Sequence, residues 1–312
     1  MWISRALTLA LVATCWAAAP AQAVGESCRG QTATIIGEPH GVVTGTPGDD
    51  VIVSNGADDV VGGTGDDTIC VTAVADGQAV DVDAGPGHDL VDTVGGDSGG
   101  GYLEAMRIVL GSGADELVGG AAVDTVYTGS AYGVDTDTDR VSTGGGSDDV
   151  YTGQAGKPDD DDVDLGEGPG GIWVASERPT GVLRSAAQSP WATIDVPPLG
   201  PGDWVIDDAA GRATLDGVTA ISWENLAMRN VKGLPGSRLR YVGTAGADIT
   251  NIGGGDVTGV DMGAGDDQVV IRPVGRLRGV VTRDGYRQGD GRGVPCPSRP
   301  ARRGPQHASR AR

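Results

Sequence analysis

Phenylalanine is absent from the chain, aromatic residues make up only 4% of it, and leucine is scarce beside valine, isoleucine and threonine. Long Leu/Ala/Glu/Lys segments with helical spacing are missing too, which excludes a helical architecture. Basic side chains are in short supply before the carboxy-terminal tail. Residues 24–271 carry 41 acidic against 11 basic side chains, a net charge of −30. Such a surface repels a phosphate backbone, so nucleic acid is excluded as a partner. It also repels itself, which destabilises a compact state unless cations neutralise it. No apolar stretch is long enough to cross a membrane.

Catalytic and cofactor signatures are equally sparse. No H-E-x-x-H or C-x-x-C pair marks a zinc site, and Gly156-Lys157 is followed by Pro158 rather than the Ser or Thr of a phosphate loop. Gly96-Asp97-Ser98-Gly99-Gly100 imitates a serine-protease nucleophile segment, but His40 and His88, the histidines upstream, stand in no matching context. Asp135-Thr136-Asp137-Thr138-Asp139 opens like an EF-hand loop, yet Arg140 stands where glycine is needed and Gly146 where glutamate is needed. His88 reads as a solvated turn residue. Tryptophans such as Trp191 and Trp204 read as core or loop packing rather than platforms for sugars. No enzyme active site is expected.

What the chain has in quantity is glycine, 55 residues of it, and aspartate. Residues 45–70 hold three consecutive copies of one unit: Gly45 to Val53, Ser54 to Val61, and Gly62-Gly63-Thr64-Gly65-Asp66-Asp67-Thr68-Ile69-Cys70. Each is a Gly-rich turn closed by an acidic pair and followed by β-branched residues. The third fits the nonapeptide G-G-x-G-x-D-x-U-x, with U a large apolar residue, at every fixed position. Glycine permits a tight turn with carbonyls aimed at one spot, and aspartate adds a hard carboxylate oxygen. The residues after the turn read as a short strand, with Ile52, Val61 and Ile69 expected to point into a shared core.

These units resemble the haemolysin-type (RTX) calcium-binding repeat family. The signature returns at Gly85 to Asp89, Gly111 to Asp115, Gly144 to Asp149, Gly243 to Asp248, Gly253 to Asp256 and Gly263 to Asp267. Spacing between the stronger aspartates runs from 17 residues (Asp50 to Asp67) to more than 30 (Asp115 to Asp148), so the coils must vary in length. The resemblance implies an all-β, right-handed parallel β-solenoid (β-roll or β-helix) with irregular coils, binding Ca²⁺ outside the cell. Its ligand candidates are the aspartates at the sixth motif position: Asp50, Asp59, Asp67, Asp89, Asp115, Asp148, Asp248 and Asp267. Two other classes stay open, a polysaccharide-active enzyme of the uronate lyase or epimerase type and a passive surface or adhesin fragment. Extracellular polysaccharide or a cell surface is then the further partner.

The organisation follows in order. Residues 1–23 read as a secretory signal, with Arg5, an apolar stretch and Ala21-Gln22-Ala23 as the cleavage site, which places the protein in an extracellular, oxidising space. Residues 24–43 form an amino-terminal cap, 44–157 the repeat solenoid, 158–242 calcium-poor coils of the same solenoid, and 243–281 the carboxy-terminal repeats. Residues 282–312 are an Arg/Pro-rich tail without strand pattern, either a disordered basic arm or the product of a reading-frame slip. Of the cysteines left after processing, Cys28 and Cys70 are expected to pair and Cys296 has no partner.

Overall fold

Alternation within very short segments builds the fold. In Val51–Val53, Asp59–Val61, Thr68–Cys70, Leu90–Asp92, Glu116–Val118, Arg140–Ser142 and Asp162–Asp164 the middle residue is buried. Successive side chains point to opposite faces, so three residues suffice to put one apolar side chain inside. Each strand pairs in parallel with the strand one coil further on. One face is thereby a column of Ile52, Ile69, Val91, Leu117, Val141, Val163 and Leu183. A second face stacks Val43, Val60, Val82, Ile108, Val126, Val150, Ile172 and Ile194 in the same way.

The computed structural model describes residues 26–96, 105–129, 137–153, 157–186 and 192–272, with short pieces at 275, 277, 280–281 and 285–288. Among them there is no α-helix, and the stacked parallel coils form a β-solenoid. The segment read as a secretory signal, Ser98, Trp191 and Cys296 lie outside the described residues.

The two inward columns meet in one apolar cluster that runs from Val43 to Ile271. Burial of a Val, Ile or Leu side chain contributes about 1.5–3 kcal/mol. Ordering backbone costs about 1–2 kcal/mol per residue, so a coil with so few inward apolar side chains depends heavily on its hydrogen bonds to the coils on either side. Corners between the faces are stacked as closely as the strands. Gly85 (φ 104°) and Gly111 (φ 114°) lie one above the other, and a Cβ on Gly111 would sit 1.7 Å from the Gly85 carbonyl oxygen. Only glycine combines that left-handed φ with that approach.

The second repeat is phased differently from its sequence reading. Val60 is 1% exposed and Val61 36%, so Val60, not Val61, fills the core beside Ile52 and Ile69. The unit is one residue short, and the strand pairing absorbs the deficit in the turn rather than in the strand, because a one-residue slip would turn every side chain to the wrong face.

After Val182–Arg184 an antiparallel meander interrupts the coil: Gly202–Asp207, Arg212–Leu215 and Val218–Glu224. Its Trp204 is buried and donates its indole N–H to the Gly200 carbonyl. Leu183 then stacks on Trp223, and Ala227–Val242 rejoins the second face against Ala192–Leu199. Parallel stacking continues through Ile249–Asp261, Asp267–Arg272 and Gly285–Gln288. The last of these lies within the segment read as a strandless tail. At the other end, Cys28 is bonded to Cys70, as expected, with Cα atoms 5.6 Å apart and a sequence separation of 42.

Candidate metal centre

Asp50, Asp67, Asp89, Asp115, Asp139 and Asp161 each stand two residues before an inward apolar residue and so share its face. Stacking of the coils turns them into a buried row. The Asp50 N–H donates to Asp67 Oδ1 (2.8 Å), Asp67 N–H to Asp89 Oδ1 (2.8 Å), and Asp89 N–H to Asp115 Oδ1 (2.7 Å). Asp115 N–H then donates to Asp139 Oδ1 (2.8 Å) and Asp139 N–H to Asp161 Oδ1 (3.0 Å). The sequence separations along the row are 17, 22, 26, 24 and 22 residues, so the length of a coil varies while its corner aspartate stays in place.

The start of the row differs from its interior. Asp50 has no aspartate N–H to accept. Its Oδ2 instead takes the Thr46 N–H (2.6 Å) and hydroxyl (2.8 Å), and its Oδ1 the Thr34 hydroxyl (3.1 Å). The Thr46 N–H, opposed by burial and helped by the two hydroxyls, holds the Asp50 carboxyl below its ordinary range. Inside the row the balance reverses. Burial pushes Asp67 up against the effect of the Asp50 N–H, with the charges of Asp50, Asp49 and Asp66 adding to the rise. Burial pushes Asp89 up to about 6, although the Asp67 N–H and His88 pull it down. The second oxygens of Asp67 and Asp89 are buried and accept no hydrogen bond.

A second row belongs to the other face and is broken. Asp124 donates its N–H to Asp148 Oδ1 (2.9 Å), and neither oxygen of the fully buried Asp124 carboxylate has a donor. Burial, with the Asp148 charge, raises Asp124 to about 8, and burial raises Asp148 to about 7 against the Asp124 N–H and the Thr143 hydroxyl. Near the carboxy terminus Asp248 and Asp267 repeat the arrangement, Asp248 N–H donating to Asp267 Oδ1 (3.1 Å). Asp248 is held by the Thr244 N–H and hydroxyl, both at 2.8 Å, as Asp50 is by Thr46.

Of the expected ligand set, then, Asp50, Asp67, Asp89 and Asp115 are brought together, Asp148 stands with Asp124, and Asp248 with Asp267. Asp59 is in none of these rows. It is an exposed strand residue between Val42 and Asp81, and the corner position two residues before Val60 belongs to Asp58, which accepts from Gln78 Nε2 (2.7 Å) and His40 Nδ1 (3.2 Å). Sequence reasoning missed Asp139, hidden in the rejected EF-hand-like segment, and Asp161, in the stretch read as calcium-poor coils. The signal that would have found them is the apolar residue two positions later, Val141 and Val163.

The first acid of each acidic pair has its own place. Asp66 N–H donates to Asp49 Oδ1, His88 N–H to Asp66 Oδ1, and Ala114 N–H to His88 Nδ1, each at 2.9 Å. This exposed ladder runs opposite to the buried one, so adjacent corners clasp each other from both sides. His88, expected as a free turn residue, is one of its rungs.

The donors suit a hard cation. They are carboxylate oxygens in Gly-rich turns, with no thiolate or imidazole in the buried rows. Among the described residues no three acidic, His or Cys side chains converge on one point, so an ion held here would take much of its coordination from turn carbonyls and water. The fold and the rows define a β-solenoid with buried aspartate ladders. Beyond that class, no family model, curated protein or solved structure matches the chain.

Proposed function

We propose that the protein is an exported calcium-binding solenoid of the haemolysin-type repeat class, in which Ca²⁺ held at the Gly/Asp corners stabilises the stacked coils. One observation carries this reading: carboxylate oxygens of Asp67, Asp89 and Asp124 are buried with no hydrogen-bond donor. An ionised carboxylate removed from water needs a partner or a proton. In a chain with 41 acidic and 11 basic residues over 24–271, internal cations are scarce, which favours a partner from outside.

Asp50, Asp67, Asp89 and Asp115, with Asp139 and Asp161, would hold ions along the first row. Asp124 with Asp148 and Asp248 with Asp267 would do so on the second. Bound Ca²⁺ supplies positive charge and additional coordination for turn carbonyls, which ties one corner to the next. The chain's own part, at Asp67 and Asp89, is to present the second carboxylate oxygen while the first is fixed by the neighbouring coil's N–H. A ligand that binds the folded form alone adds its binding free energy to folding. Extracellular calcium modules bind at about 10⁻⁴–10⁻³ M, so the coils would assemble after export. The test is a far-UV circular dichroism titration after chelation. Millimolar Ca²⁺, and not Mg²⁺, should restore β-structure and compaction. A compact β-structured protein in excess chelator would show that the rows are architectural.

A further inference from the structure

Outside the corners, the outer side of the second face carries an organised column of its own. Tyr127, Tyr151 and Trp173 occupy the same register position in three successive coils. Their rings are stacked, with centroids 5.0 Å apart in each pair and interplanar angles of 12° and 15°. The guanidinium of Arg107 closes the first end, 5.4 Å from the Tyr127 centroid. At the other end the aromatic run stops. Trp173 is followed in register by Asp195, Asn230 and Asn251, which form a polar ladder: Asn230 Nδ2 donates to Asp195 Oδ1 (2.8 Å), and Asn251 Nδ2 to Asn230 Oδ1 (3.0 Å).

Where aromatic column meets amide ladder, a cleft of about 560 Å³ opens, lined by Trp173, Asp195, Asn230, Asn251, Lys232 and Arg272. Trp173 is stacked on Tyr151 on one side and meets the cleft on the other. Gly171 makes room for the indole, since a Cβ there would lie 2.5 Å from the ring. Lys232 and Arg272 stand two rungs apart with Gly253 between them. Neither is ion-paired among the described residues, so both are available to an acidic ligand. A larger cleft beside Asp208 offers less, because that carboxylate already accepts from Trp223 Nε1 and the Tyr241 hydroxyl, both at 3.0 Å.

We propose that the Trp173 cleft binds an extended glycan carrying carboxylate groups. A flat indole face, the side-chain amides of Asn230 and Asn251 in adjacent coils and the cations Lys232 and Arg272 match the three parts of such a ligand: the apolar face of a sugar ring, its hydroxyls and its acid group. Aromatic faces give shape-selective apolar contact, amides fix orientation, and Lys and Arg recognise carboxylate. The column runs along the solenoid axis, so a linear chain of sugars lies across successive coils rather than ending in a closed pocket. The site is one of binding, and it does not depend on the calcium reading, because none of its side chains belongs to the aspartate rows.

The test uses the full chain at constant millimolar Ca²⁺ with short oligogalacturonates, which do not gel, and neutral cello-oligosaccharides as the comparison. Calorimetry should show binding of the uronate series in preference to the neutral one. Trp173→Ala should weaken it roughly tenfold, the loss of one good stacking contact, while Trp173→Phe keeps most of it. Changing both Lys232 and Arg272 to Gln should abolish the preference for uronate while circular dichroism stays unchanged. No binding by the wild type, equal affinity for neutral sugars, or an unchanged affinity in Trp173→Ala would each overturn the proposal.

Discussion

The two faces of the solenoid fill the same corner position in different ways. On the first face every coil from Asp50 to Asp161 has aspartate there. On the second face, successive coils place Val80, Met106, Asp124, Asp148, Gly170 and Ala192 at that register. Val80 and Met106 are as deeply buried as the aspartates. Stacking of coils therefore does not require a carboxylate. An apolar side chain serves the packing without the desolvation penalty, which in real proteins is several kcal/mol for a buried ion. The uninterrupted row on the first face is therefore the edge with the most buried charge for the proposed cations to neutralise.

The first way to break the comparison is to remove the cation. Chelation should abolish most β-structure, and the first-face strands should lose amide-exchange protection before the second-face strands built on Val80 and Met106. Equal loss on both faces would mean that the rows do not differ in purpose. Next in size is Gly111→Ala, whose Cβ would fall 1.7 Å from the Gly85 carbonyl at a φ of 114°. A cost above about 4 kcal/mol is expected, in the range reserved for backbone strain and clash together, read as a drop in the chemical-denaturation midpoint at saturating Ca²⁺.

Acid should substitute for calcium. The folded-state pKa of Asp124 is about 8 against 3.8 for the free group, and that of Asp89 about 6. Both are raised, so the folded form holds the proton more tightly. The stability this brings is complete below pH 3.8 and is lost as pH rises through about 6 for Asp89 and about 8 for Asp124. Cation-free protein should thus melt at a higher temperature at pH 5 than at pH 8, and the difference should vanish with Ca²⁺ present.

Two substitutions sharpen the contrast between rows. Asp124→Leu, which copies the apolar choice of Met106, should raise the stability of the calcium-free protein by about 1–3 kcal/mol, since its oxygens accept nothing. Asp89→Leu should not, because it strips the Asp67 N–H of its acceptor, a loss of about 1–3 kcal/mol. Smallest of all is Asp59→Ala, at an exposed strand position, which should leave the calcium midpoint within error of wild type while Asp67→Ala raises it.

Much of this was readable in advance, and the misses share a cause. Asp50, Asp67, Asp89 and Asp115 were found because glycines precede them and a β-branched or leucine residue follows. Asp139 and Asp161 occupy identical corners but lack the glycine signature before them, so local pattern assigned them elsewhere. Asp59 was chosen over Asp58, and Val61 over Val60, because both residues of each pair fit the motif. Only pairing with Val43 and Val82 in the adjacent coils decides between them.

By itself the sequence determined the all-β character, the strand-and-turn alphabet and the excess of acid, because each rests on local chemistry: side-chain alternation, glycine's access to left-handed φ and charge count; the solenoid was what the repeat resemblance implied. Tertiary structure alone decided which aspartates share a row, that Asp124 is left without a donor, and that Tyr127, Tyr151 and Trp173 stack beside Asn230. Those relations join residues 17 or more positions apart. Coil length varies while strand register does not, so neighbours across coils are set by hydrogen bonding between strands and not by any fixed spacing along the chain.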